Sequence, residues 1–248
     1  MEKLGRHNLR LKDLRRRVKK RPEGQVIVDG RRLVADVVHW GVPLLELYLA
    51  EGVDPDPEIV AAAHEVFAVD AAVLDDLAPT RHPQGVLAVA AEPRLPAWSG
   101  REGIALWLDR VQDPGNLGAI VRSAAGLGAR GVLLSPGCAD PFHPAAVRGS
   151  AGAVFRLPVT REVTVIDAAA GLRGHGGELW AAAAAGTPVH GWQPARPLLL
   201  LLGAEGEGLS PAALEAADGR VAIPLDREVE SLHVAVAAGI LLDQLRGS

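Results

Sequence analysis

Residues 221–242, VAIPLDREVESLHVAVAAGILL, decide how the rest of the chain is read. The segment opens as a short strand ending at Ile223 and Pro224, continues as a polar loop over 226–230, and becomes a helix near Ser231. That helix has no clean polar face, because Val234, Val236, Ala238, Ile240 and Leu241 go round its circumference. A helix apolar on all sides needs cover on more than one of them. Its N-terminus also offers free backbone donors to whatever the preceding loop holds. The pattern predicts a buried helix whose leading loop lines a small-molecule pocket.

Working outward, the apolar run 198–202 reads as a strand, and the alternation extends back to residue 104. Strands are predicted at 104–108, 132–135, 155–159 and 179–184, with helices at 116–127, 144–148, 165–172 and 211–216. Unbroken apolar strands belong in a parallel sheet covered on both faces. Ligands of such sheets bind beyond the carboxyl ends of the strands, where the loops 109–115, 203–210 and 225–230 stand. Upstream, helices at 9–18, 31–40, 57–63 and 71–77 alternate with strands at 26–28, 44–49, 66–69 and 85–90. The proline- and glycine-bearing stretch AEPRLPAWSGRE at 91–102 separates the two series. The expected organisation is an N-terminal α/β domain over 1–92, a linker over 93–102 and a C-terminal domain over 103–248.

The 248 residues are 48% hydrophobic and 23% charged, the balance of a globular protein. One cysteine, Cys138, excludes an internal disulfide and suits a reducing, cytoplasmic setting. The eight histidines lack the paired spacing of a zinc site, so no metal is expected. No apolar run approaches the roughly 20 residues of a membrane span, and no membrane partner is expected. The net charge of −4 conceals an asymmetry: the first 32 residues hold 12 Lys/Arg against 4 Asp/Glu, leaving 14 against 26 elsewhere. A basic arm on an acidic body points to a phosphate-backbone partner. Arg10, Lys12, Arg15, Arg16 and Arg17 are its candidates, with Arg148 further on.

Three short motifs carry chemistry. In LDRVQDPGNLGAIVRSAA (108–125), Asp113-Pro114-Gly115 is turn chemistry and Asn116 stands where a helix N-cap is expected. Arg122 lies among small and apolar residues, where it must snorkel or meet an anion. In LGAEGEGL (202–209), glycines let backbone approach a ligand, while Glu205 and Glu207 would repel phosphate and favour a neutral or cationic guest. The third motif is the opening stretch. A GxGxxG match at 126–131, GLGARG, follows a helix and precedes a strand, the reverse of a dinucleotide site, so its glycines end the helix.

In this order and separation the motifs resemble the SpoU family of RNA 2′-O-methyltransferases, members of the knotted α/β methyltransferase superfamily. DPGNLGAIVRSAAGLGARG is similar to the family's first motif, LLLGAEGEGLS to its second and IPLDREVESLHVAVAAGI to its third. HPAAVRGSAGAVFRLPV (143–159) is similar to the segment between the first two, and RHNLRLKDLRRR with GQVIVDGRRLV to the family's separate RNA-binding domain. The chain departs from the usual pattern at Ala204 and at His233, where the family commonly has Asn.

The resemblance implies a C-terminal α/β trefoil-knot methyltransferase domain with a mostly parallel sheet, plus a smaller N-terminal α/β RNA-binding domain. It implies S-adenosylmethionine bound near Gly203, Ala204, Gly206, Ile223, Leu225, Leu232 and His233. Arg122 is the implied catalytic residue, oriented by Asn116, Glu205 and Ser231. It further implies a homodimer with sites built from both subunits, and ribosomal RNA of the 23S type as substrate. Transfer RNA, or a catalytically silent ribosome-assembly role, are the alternatives.

Overall fold

The computed structural model describes residues 1–54, 56–80, 82–227 and 229–246. They divide into two compact units, Met1–Arg94 with Phe142–Phe155, and Leu95–Pro141 with Arg156 onward.

The first unit runs β1 (Glu2–Leu4), α1 (Leu9–Lys19), β2 (Gln25–Asp29), α2 (Arg31–His39), β3 (Leu44–Ala50), α3 (Pro57–Ala62), β4 (Ala63–Val69), α4 (Ala71–Leu77) and β5 (Val86–Ala91). Its sheet has the order β1-β4-β3-β5-β2. β4 is parallel to β1 and β3, whereas β5 is antiparallel to β3 and β2. Polar caps start the helices: Asn8 accepts the Arg10 N–H at 2.8 Å, and Asp70 that of Val73 at 3.2 Å. Each satisfies a backbone donor that the first helical turn leaves free. Leu11 and Leu14 of α1 reach a core built on Ile27, Tyr48, Phe67 and Leu87.

The second unit opens with β6 (Ile104–Asp109), α5 (Pro114–Gly126) and β7 (Gly131–Leu134). The chain then contributes α6 (Pro144–Gly149) and a 3-10 turn (Ala153–Phe155) to the first unit. It returns for β8 (Val159–Thr160), α7 (Val165–Arg173), β9 (Glu178–Pro188), β10 (Leu198–Gly203), α8 (Pro211–Ala216), β11 (Gly219–Ala222) and α9 (Val234–Arg246). The strand order is β11-β9-β10-β6-β7-β8, and every neighbouring pair is parallel. The central β6 is buried along its whole length and β10 up to its last residue, as the unbroken apolar runs predict. After β6 the chain moves to one side of the sheet and after β10 to the other. The carboxyl ends of these two adjacent strands therefore flank the topological switch point, where α/β sheets bind ligands.

Several local expectations need correction. The predicted strand 155–159 is largely absent: Phe155 ends a 3-10 turn, 156–158 are turn and loop, and only Val159 and Thr160 form a strand with β7. Ala151 and Gly152 turn the chain at positive φ just before it, and Pro158 has no N–H to donate. The cap of α5 is Asp113, whose carboxylate accepts the Asn116 N–H at 2.7 Å, so Asn116 lies inside the first turn with its side chain free for other work. The glycines at 126–131 do end this helix, since Gly128 takes φ +84° and Ala129 N–H reaches back to Ala124 O at 2.9 Å. α9 begins at Val234, not near Ser231. It buries one stripe, Val234, Ala238, Leu241, Leu242 and Leu245, while Val236 stays 50% exposed. Among the described residues nothing buries that other side of the helix.

Candidate active site

Three loops meet at the switch point. Asp109 ends β6 and is 3% exposed. One carboxylate oxygen accepts the Ser210 N–H at 2.7 Å, which ties the base of the 203–210 loop to the neighbouring strand. The other faces Arg110 Nε at 3.3 Å. Arg110 sits in the left-handed region at φ +53°, an uncommon conformation for a side chain other than Gly, Asn or Asp. Its N–H donates to Ser135 Oγ at 2.9 Å and its Nη1 to Glu207 at 2.9 Å. The glycine loop is thus held at its base by Asp109 and at its tip by Arg110.

The loop itself is tight. A Cβ on Gly203 would lie 2.1 Å from the Gly208 carbonyl carbon and 2.3 Å from Leu209 N, so no other residue fits there. Gly208 N–H closes on Ala204 O at 2.9 Å, and Gly206 turns at φ +82°. Glycine here lets the loop fold back on its own strand end, a different need from the close ligand approach read in the sequence.

His233, at the mouth of α9, joins all three motifs. Its Nε2 is 3.0 Å from Asn116 Oδ1 and 3.2 Å from Glu205 Oε1. Beside this contact opens a cavity of about 300 Å³, lined by Arg110, Val111, Gln112, Asp113, Asn116, Ala204, Glu205, Glu207 and Val234. Among the described residues the lining holds three carboxylates and one cation, and that cation is taken up by Glu207. Such a lining favours a positively charged guest over a phosphate. Behind it, burial raises the Cys138 thiol above its ordinary value, with its Sγ donating to Leu108 O at 3.3 Å. A protonated, half-buried thiol is inert. No group of three or more His, Cys, Asp or Glu among the described residues is arranged to hold a metal ion.

Residues 103–243 match the SpoU rRNA Methylase family, and residues 9–88 match the MRM3-like substrate binding domain. The chain belongs to the SpoU family. Over 238 residues it is 33% identical to an uncharacterized tRNA/rRNA methyltransferase of Synechocystis, covering 88% of this chain and 86% of that protein. It is 36% identical over 171 residues to the 23S rRNA (guanosine(2553)-2′-O)-methyltransferase RlmP of Bacillus subtilis, covering 68% of this chain and 67% of the relative. The AdoMet-bound rRNA methyltransferase from Sinorhizobium meliloti superimposes with a TM-score of 0.87 at 28% identity, covering 99% of this chain and 97% of that one.

In this SpoU methylase the residues singled out from sequence separate into groups. Asn116, Ala204 and Glu205 line the cavity, and His233 touches two of them. Gly203 and Gly206 shape the loop. Ile223 and Leu232 are half-buried, while Leu225 and Ser231 are exposed on the segment before α9; Glu228, in the same loop, lies outside the described residues. Arg122 does not line the cavity. It is six residues beyond Asn116, about 9 Å along the helix and roughly 240° around it. Its side chain is exposed, with no hydrogen-bond or ion-pair partner among the described residues.

The basic candidates divide as well. Lys12 and Arg15 are exposed on α1 without an ion pair among the described residues. Arg16 pairs with Asp13. Arg10 makes a two-pronged bridge to Glu65 at 2.9 Å and lies 4.8 Å over the Phe67 ring. Arg17 is a correction: it is 8% exposed and bound to Glu46 at 2.7 and 3.0 Å, so it holds the first unit together and is closed to RNA. Arg148 is exposed on α6 of the first unit and lowers the charge cost of Asp29 there.

Arg110 and Asp109 escaped the sequence reading as site residues, whereas Glu207, read there only for its charge, also proves to anchor Arg110. The available signal was Asp109 itself, the acid that ends an otherwise apolar strand at a binding edge.

Proposed function

We propose that this protein transfers a methyl group from S-adenosylmethionine to a ribose 2′-hydroxyl of ribosomal RNA, of the 23S type, with transfer RNA as the alternative substrate. The observation that carries the reading is the meeting of the family's three motifs at hydrogen-bond distance, Asn116, Glu205 and His233, beside an acidic cavity at the switch point of a parallel sheet. The lining fits the cofactor's charge, since carboxylates at Asp113, Glu205 and Glu207 complement a sulfonium. Bound there, S-adenosylmethionine supplies an electrophilic methyl group, and the loops 203–210 and 223–233 hold it.

The protein's task is alignment, which can lower a barrier by roughly 7–11 kcal/mol. Arg122 serves as an anion holder: a guanidinium with a pKa above about 12 does not act as a base near neutral pH. Its exposed side chain holds the phosphate next to the reacting ribose and stabilises the developing alkoxide, while the hydroxyl proton passes to that phosphate. Asn116, Glu205 and Ser231 orient the reacting groups. Because Arg122 is exposed and does not line its own chain's cavity, a homodimer in which each copy completes the other's site would account for both Arg122 and the exposed Val236 of α9. The N-terminal domain 1–92, joined through the linker 93–102 to 103–248, offers Lys12 and Arg15 to the RNA backbone, and Arg148, on the segment 142–155 that packs with the first unit, adds a third cation. Among the described residues no helix is long and apolar enough to cross a membrane; action on ribosomal RNA would place the enzyme in the cytoplasm.

Calorimetric titration with S-adenosylmethionine, followed by tritiated methyl transfer to deproteinised ribosomal or transfer RNA, tests the reading. Donor uptake with label in ribosomal RNA ribose is expected; a folded protein that takes up no donor rejects it. Sedimentation should report a dimer, and a stable, active monomer would refute the shared site.

A further inference from the structure

His233 does two different things with its two ring nitrogens. Nδ1 accepts the N–H of Ala235 at 3.2 Å, while the residue's own carbonyl accepts from Val236 and Ala237 at 2.9 and 3.0 Å. Ring and backbone together cap the start of α9. A ring nitrogen that accepts a hydrogen bond cannot also carry the proton, so the neutral ring bears its proton on Nε2. That single donor faces two acceptors, Asn116 Oδ1 at 3.0 Å and Glu205 Oε1 at 3.2 Å. An amide at this position could present either an oxygen or an NH₂ group. An imidazole fixed by its own cap presents only N–H, which turns the Asn116 oxygen toward the ring and leaves the Asn116 NH₂ for other partners.

A second proton changes both arrangements. It must enter at Nδ1, where it meets the Ala235 N–H donor to donor and ends the ring's cap. It also makes the ring a cation, and the charged groups around it decide where that cation goes. The cavity beside the ring is lined by Asp113, Glu205, Glu207 and Arg110, and the segment leading to α9 carries Asp226, Arg227 and Glu230, all exposed. Glu207 is taken up by Arg110, and Glu205 alone is at ion-pair distance from the ring among the described residues.

We propose that His233 is a positioning residue that works only as the neutral, Nε2-protonated ring. In that form it fixes the Asn116 amide and leaves Glu205 available to the methyl donor; when protonated it withdraws Glu205 and releases its cap on α9. The claim about the donor rests on the methyl-transfer reading, whereas the claim about the ring does not.

Two measurements on the full-length chain test it. Long-range proton–nitrogen correlation on protein with labelled histidine, assigned by the signal that disappears in His233→Asn, should give Nε2–H for the neutral ring. An Nδ1–H ring would overturn the proposal, and this readout needs no ligand. Calorimetry with S-adenosylmethionine from about pH 8 to about pH 5, the interval in which histidines change charge, should give a wild-type affinity that weakens about tenfold toward acid. In His233→Asn, whose oxygen can still cap α9, affinity should vary by less than about twofold over the same range. Equal weakening in both proteins overturns the proposal. His233→Gln keeps an N–H at the outer position without the cap, and is expected to restore single-turnover rate better than His233→Ala; no difference between these two counts against it. Absence of donor binding at every pH would remove the methyl-transfer reading, and the tautomer would still decide the ring's assignment.

Discussion

Arg17 in α1 and Arg122 in α5 look alike in sequence: each stands on a helix beside apolar neighbours and could serve as a phosphate ligand. In the structure they have opposite fates. Arg17 is buried against Glu46, with Asp13 at 2.9 Å and the Tyr48 hydroxyl at its edge. Burial, then the hydrogen bond to Glu46, pushes the Tyr48 hydroxyl well above the usual phenol range, so it stays protonated and donates a hydrogen bond to Glu46 at 2.6 Å. Arg122 is exposed and has no partner among the described residues. The difference lies in what the facing strand carries. Glu46 is an acid on a strand of mostly apolar residues, positioned by the sheet opposite Arg17, and nothing comparable among the described residues faces Arg122. A cation next to an apolar stripe therefore has no fixed meaning until its acceptor is located.

The comparison can be broken from either side. The largest effect is expected at Glu46→Ala, which leaves the Arg17 charge buried and should cost about 3–5 kcal/mol, read as a fall in the urea midpoint with methyl transfer per folded molecule retained. The double variant Arg17→Met/Glu46→Leu should recover part of that loss, because an apolar pair of similar volume removes both desolvation costs but leaves the buried Tyr48 hydroxyl without its acceptor. Arg122→Ala should leave the urea midpoint and donor affinity in place while lowering single-turnover methyl transfer by about 10²–10³-fold; retained turnover would show that Arg122 is as ornamental as its exposure allows. Lys12→Gln and Arg15→Gln together should flatten the dependence of log RNA affinity on log salt by about two, one for each phosphate no longer neutralised.

The smallest effect concerns Asp29, an acid in the first unit that lacks the full counter-charge Arg17 enjoys. Burial raises its pKa, partly offset by the Thr80 hydroxyl and by Arg148. For an acid whose folded value lies above the unfolded one, the native state holds the extra proton, so its contribution is complete below the unfolded value and is lost as pH rises through the folded one. Asp29→Asn, which cannot ionise and can still accept from Thr80, should therefore raise the thermal midpoint at neutral pH and reduce its decline between acid and neutral conditions. An unchanged pH profile would mean that Thr80 and Arg148 fully compensate the buried charge.

The alternation of strands and helices was legible in the sequence because its determinants are local. Asp70, Asp113 and Ser210 cap within three residues of themselves, Gly128 ends α5 by its own φ, and the runs in β6 and β10 are apolar at nearly every position that the sheet buries. Where the acceptor or partner is remote, sequence failed. The run 155–159 has strand composition, but among the described residues the ladder to β7 takes in only Val159 and the following Thr160. β9 extends to Pro188 because it meets β11 again at Thr187 after skipping residues 182–186. The left-handed Arg110 is invisible without the Ser135, Asp109 and Glu207 contacts that hold it.

The sequence by itself determined the family, the order of the three motifs, the parallel sheet and the acidic character of the glycine loop, since each depends on residue type and spacing along the chain. Only the tertiary structure decided which charges are spent internally and which remain for a ligand. Arg17, Arg10 and Arg110 find carboxylates 29, 55 and 97 positions away, and the His233 ring meets an amide 117 positions away. Hydrogen bonds and ion pairs act over about 3 Å of space, whereas sequence patterns report only neighbours along the chain. A site assembled from distant loops is therefore fixed by the fold that brings them together.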